Sequence, residues 1–91
     1  MSRPSRPQPR DGSRDWPDVT AADPVSEVAR RFAENVRTAI GDQSIRAAAR
    51  DVGVAHTTIV AILQGRVWPD LETIAKLEQG LGVDLWPGRV D

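Results

Sequence analysis

The 91-residue chain is 40% hydrophobic and 27% charged with a formal net charge of -1, enough for one domain with one modest core and short of the strong basic excess of a generic polyanion binder. Cysteine is absent and His56 is the single histidine, which excludes disulfides, thiolate metal sites and histidine-rich zinc sites, so neither metal nor cofactor is expected. The longest apolar runs are a few residues, far below the roughly twenty needed to span a bilayer, and no signal-peptide core opens the chain; a soluble, cytoplasmic protein without a membrane partner is expected.

Residues 1–22 contain Pro4, Pro7, Pro9 and Pro17, two Ser-Arg-Pro repeats, and little that is apolar beyond Trp16 and Val19. This composition predicts a disordered, extended, Pro/Arg-rich tail. Arg3, Arg6, Arg10 and Arg14 suit a minor groove or a line of phosphates, whereas Asp11, Asp15 and Asp18 nearly cancel their charge. A DNA-contacting arm and a plain leader both remain open.

The folded domain is expected over 23–88, leaving 89–91 as a short C-terminal end. Asp23 reads as the N-cap of a first helix with Pro24 at its first position. Val25, Val28, Ala29, Phe32, Val36, Ala39 and Ile40 recur at helical spacing as an inner stripe, with Arg30, Glu34 and Arg37 facing water, until Gly41. Ser44 caps a second helix, Ile45 to Val52, whose Ala48 and Ala49 allow a close helix crossing and whose Arg46 and Arg50 project outward. Gly53 suits a tight turn. A third helix runs from about His56 to Gln64 and closes at Gly65, with Val54, Ile59 and Ile62 inward and His56, Thr57, Val60, Ala61 and Gln64 outward. Ala55 is a poor cap, a task His56 or Thr57 can take over. Pro69-Asp70 opens a fourth helix with Leu71, Ile74, Ala75, Leu77 and Leu81 inward, ending at Gly82; Val83, Leu85 and Trp86 then fold back as one helical turn stopped by Pro87.

Charge is unevenly distributed. Val28 to Arg66 carries six arginines against three acids, net +3, and Val67 to Asp91 two bases against five acids, net -3. Such polarity steers a duplex toward the two-helix unit, with few phosphate contacts and strong salt dependence, although an ordinary mixed surface gives the same count. Arg46 and Arg50 are open to pairing with Asp51 or with acids of the fourth helix. Trp68 packs either under the loop after Gly65 or against a sugar-phosphate backbone, and Trp86 serves as a core lid or as part of a dimer surface.

The stretch from Ser44 to about Trp86 resembles the Cro and phage-repressor (XRE) helix-turn-helix family through Ala48-Ala49, Gly53-Val54, Ile59, Ile62, Gln64-Gly65, Pro69, Leu71, Ile74 and Leu81-Gly82-Val83. The fold so indicated is an all-α, compact four- to five-helix bundle containing a helix-turn-helix at 44–65, preceded by the disordered tail. The resemblance implies a double-stranded DNA-binding transcriptional regulator, usually a two-fold dimer and a repressor. It places base contacts at His56, Thr57, Val60 and Ala61. Phosphate contacts fall at Ser44, the amide of Ile45, Thr58, Gln64 and Arg66, with Arg46 and Arg50 in reach of the same strand. Histidine and threonine bond single base atoms, and Val60 and Ala61 can touch a thymine methyl, so readout is modest, near the low end of about 1 to 3 kcal/mol per contact. The chain departs from the family at Ile45, where many relatives carry glutamine, and at Glu78, where a small buried residue is common; Glu78 must then be exposed or paired. Gly80 weakens its helix by about 1 kcal/mol relative to alanine.

Two other classes stay in view: an antitoxin or accessory protein whose tail binds a cognate partner protein, and an interaction module that has lost DNA binding. An enzyme is not expected, because Glu72, Glu78 and Asp84 form no paired site and no nucleophile has an activating histidine. Besides DNA, a second copy of the chain, RNA polymerase or a cognate protein are the candidate partners.

Overall fold

The computed structural model describes residues 7–13 and 15–90. Within them the chain forms a short 3-10 helix, Pro9–Gly12, and four α-helices: α1 Pro24–Ile40, α2 Ile45–Val52, α3 His56–Leu63 and α4 Leu71–Leu81. The described residues contain no strand, and none of these helices is long and apolar enough to cross a membrane.

Local chemistry sets the helix ends. The Asp23 carboxylate accepts from the Ser26 amide at 3.2 Å, the Ser44 hydroxyl from the Ala47 amide at 3.1 Å, and the Asp70 carboxylate from the Thr73 amide at 2.8 Å, each satisfying a donor the helix itself leaves unpaired. The Thr73 amide also holds the Asp70 carboxyl below its ordinary range. Phe32 and Val36 of α1, Ile59 of α3, Leu77 of α4 and Leu85 beyond it form the most deeply buried apolar centre, each contributing on the order of 1.5 to 3 kcal/mol by leaving water.

Two helix faces differ from the periodicity reading. Arg30, expected to face water, is buried, while Val25, Leu71 and Ala75, expected inward, are exposed. For Arg30 the cause is the segment before α1. Residues 7–13 and 15–21, within the stretch expected to be a disordered tail, lie against the domain as a strap; residues 1–6 and Arg14 lie outside the described residues. The Trp16 indole N–H donates to the Leu63 carbonyl at 2.9 Å, the Trp68 indole N–H donates to the Pro7 carbonyl at 2.8 Å, and the Arg10 amide donates to the Gly65 carbonyl at 3.0 Å.

The strap also covers one side of α1 and supplies partners for Arg30. Glu27, 2% exposed, accepts from Arg30 Nε at 2.6 Å and Nη2 at 2.8 Å, Arg31 Nε at 2.8 Å and the Ala21 amide at 2.9 Å. Arg30 Nη1 continues to the Pro17 carbonyl at 2.9 Å and to Glu34 at 3.1 Å. The hydrogen bond from Arg30, opposed by burial and helped by Arg31, lowers the Glu27 carboxyl to about 2. A buried charge is tolerated here because every lone-pair direction is answered.

At the other end, residues after Gly82 do not form the expected helical turn; Asp84 to Val90 has no regular secondary structure. Leu85 is the buried anchor and Trp86 stays 55% exposed, so Leu85, not Trp86, closes the core. The Glu78 carboxylate accepts from the amides of Leu85 at 2.7 Å and Trp86 at 3.0 Å, which lowers its pKa, and Asn35 Nδ2 donates to the Leu85 carbonyl at 2.8 Å. The paired role expected for Glu78 is thus met by backbone amides that a helical turn would have used internally. Gly80 is explained by contact: a Cβ there would lie 2.5 to 2.7 Å from Val52, so its absence lets α4 approach α2.

Candidate nucleic-acid interface

The interface is built on the α2–α3 pair. Ala48 and Ala49 are buried at the crossing, and their small side chains admit Ile59 and Ile62 of α3 into the common core. Gly53, at φ 73°, ends α2 in the left-handed region, where a side chain would be strained. Val54 tucks inward and Ala55 starts α3. No side chain caps α3, so neither His56 nor Thr57 is withdrawn into the capping role; both stand at its first turn with Thr57 exposed and His56 half-buried.

Of the other expected base-reading residues, Val60 is half-buried and Ala61 is 8% exposed. The structure therefore does not bring Ala61 to the surface with the others. It packs beneath the α3–α4 loop, where it lines a shallow concavity with Thr57, Thr58, Trp68 and Thr73. Thr57 and Ala61, four positions apart, lie on the same side of α3, and Ala61 is the one that is covered there.

The expected phosphate-contact residues divide by position. Arg46 and Arg50 from α2 share one concavity with His56, and both are exposed. Neither takes part in an ion pair among the described residues; Asp51, the nearest candidate by sequence, instead accepts from Gln43 Nε2 at 3.0 Å. Gln64 and Arg66 are exposed beyond the other end of α3, with the Arg66 amide tied to the Ala61 carbonyl at 2.9 Å. Ser44 keeps its hydroxyl on its own helix, Ile45 is packed against the core, and Thr58 is half-buried. Trp68 packs on the strap.

Thr57 thus stands exposed on α3, with arginines near one end of that helix and a glutamine and an arginine beyond the other. A helix held by its inner face, with polar groups at both ends, matches the demands of a major groove between two phosphate ridges. A model of the helix-turn-helix family matches residues 43–85. This segment is similar to the Cro/C1-type helix-turn-helix family. The match covers α2, α3, α4 and the chain as far as Leu85, and bears out the resemblance read from Ala48-Ala49 through Leu81-Gly82-Val83. Helix-turn-helix domains of this family are DNA-binding regulatory domains. A comparison with curated proteins found no match.

The helix-turn-helix match begins after α1, so the strap lies outside it. The sequence reading left a DNA-contacting arm and a plain leader both open and did not foresee the docking of this strap on the domain. Its only signal was Trp16, a large apolar residue in an otherwise polar leader, which needs a surface to cover it.

Proposed function

We propose that the protein is a sequence-specific, double-stranded DNA-binding regulator of transcription that acts as a repressor by occupancy. In this reading α3 enters the major groove, His56 and Thr57 hydrogen-bond base edges, and Val60 contacts a thymine methyl. Ala61 shapes the floor beside them. Arg46, Arg50, Gln64 and Arg66, with the amide of Ile45 and the side chains of Ser44 and Thr58, set the register on the phosphates. The observation that carries the reading is the exposed start of α3 beside two arginines that no acid engages among the described residues.

Two copies bind two half-sites about one helical turn apart. Val25 and Trp86 support this pairing, since they are large, exposed and line one apolar cavity of about 320 Å³ with Trp68 and Pro69. The regulator works in the cytoplasm on chromosomal DNA, where occupancy excludes RNA polymerase. The docking of the strap on its own domain counts against a leader that waits for a partner protein.

Selection of bound sequences from a random duplex library at near-physiological salt tests the proposal. A palindromic consensus with half-sites about ten base pairs apart is expected. His56→Ala or Thr57→Ala should change the preferred bases, while Arg46→Ala or Arg66→Ala should weaken all duplexes alike. Selection that enriches nothing would refute sequence-specific reading.

A further inference from the structure

We infer that the strap is part of the DNA-binding unit and that Arg10 is an additional phosphate contact, set beside Gln64 and Arg66 at the C-terminal end of α3. This rests on the DNA-binding reading of the domain and adds to it a residue outside the helix-turn-helix.

The main-chain bond from Arg10 to Gly65 fixes the distance between the two segments at 3.0 Å. Gly65 leaves no room for misplacement: a Cβ there would lie 2.6 Å from the Trp16 ring and 2.8 Å from Arg10 Cβ. The Trp16 indole bond to the Leu63 carbonyl locks the same junction from the other side. Arg10 therefore keeps a constant position relative to Gln64 and Arg66, its sequence-distant neighbours.

Its side chain is presented and not consumed. Arg10 is exposed, and its Nε donates to Gln8 Oε1 at 2.9 Å, which orients the guanidinium while leaving the terminal nitrogens for a ligand. No carboxylate pairs with it among the described residues. Asp11 lines the same concavity as Arg10 and Gln64, with one of its oxygens accepting from the Gln8 amide at 2.8 Å. Arginine and aspartate nearly neutralise each other's distant field. What Arg10 adds is a local, geometry-dependent contact of the kind a planar guanidinium makes with phosphate oxygens.

The test uses the full chain and a fluorescein-labelled pool of mixed-sequence duplexes about two helical turns long, with binding followed by anisotropy from about 50 to 200 mM salt. Arg10→Ala should weaken binding about three- to tenfold and make the slope of log affinity against log salt shallower by about 0.9, the signature of one lost phosphate contact. Lys76→Ala, which removes the same charge from α4, should leave that slope unchanged. Arg10→Lys should retain the slope and lose part of the affinity. An unchanged slope in Arg10→Ala with a reduced slope in Arg66→Ala overturns the Arg10 assignment and leaves the domain reading intact. Equal losses in Arg10→Ala and Lys76→Ala also overturn it, reducing the effect to net charge. A wild-type chain that binds no duplex overturns the DNA-binding reading itself, and this inference with it.

Discussion

Replacing Gly65 by alanine should cost far more than the same change at Gly53, although the two glycines have nearly the same backbone, φ 69° and φ 73°. Either substitution forces an L-residue into the left-handed region, a penalty of about 1 kcal/mol. At Gly53 nothing lies within 4 Å of the added carbon, so the penalty ends there. At Gly65 the carbon would sit 2.6 and 2.7 Å from two Trp16 ring atoms, and the indole must leave. Its bond to the Leu63 carbonyl and the bond from the Arg10 amide to Gly65 go with it, at about 1 kcal/mol each. The total at Gly65 is therefore about 3 kcal/mol, a large part of the roughly 5 to 10 kcal/mol expected for a domain of this size.

Urea titration and thermal melting of both variants measure the difference. Gly53→Ala should lower the melting temperature by about 5 °C and Gly65→Ala by about 15 °C. Hydrogen exchange should quicken at the amide of Arg10 in Gly65→Ala alone. Equal losses of stability in the two variants would show that the strap contributes nothing at this junction, and the packing argument would fail.

Other substitutions probe the remaining junctions. Glu27→Gln should lower stability by about 3 kcal/mol at neutral pH, because Arg30 stays buried with its main partner's charge removed. The Glu27 carboxyl is held at about 2 instead of 4.5, so its contribution is complete above pH 4.5 and is lost as pH falls through 2; the gap between wild type and variant in urea titrations should close across that window, and a gap constant to pH 2 would contradict the pairing. Gly80→Ala should destabilise by about 1 to 3 kcal/mol through overpacking against Val52, despite alanine's better helix propensity; a stabilised variant in the same melts would show that α2 and α4 are less close than 2.5 to 2.7 Å implies. Glu78→Gln should accelerate hydrogen exchange at the amides of Leu85 and Trp86, and unchanged exchange would mean the carboxylate does not hold that segment.

Helix positions and the helix-turn-helix were legible because their signals are local. Asp23, Ser44 and Asp70 each bond an amide three residues on, and a cap of that range can be read from a few neighbouring residues. The outward placement of Thr57 and of Arg46 and Arg50 followed from the same short-range phase. Ala61 was misplaced because the loop through Trp68 folds back over its side of α3, and nothing in the periodicity of α3 announces that cover.

The chain alone determined four helices, the side-chain caps of α1, α2 and α4, the left-handed turn at Gly53 and the residue types offered at the start of α3. Tertiary structure decided which remaining faces are covered. Arg30 is buried because Pro17, 13 residues away, meets its guanidinium. Trp16 finds Leu63 across 47 residues, Asn35 finds Leu85 across 50, and Trp68 finds Pro7 across 61. Gly80 looks like a weak helix residue until Val52 is brought against it. Propensity and capping act over one turn of helix, whereas burial is set by whichever distant segment excludes water from a surface, and that partner is known only once the chain is folded.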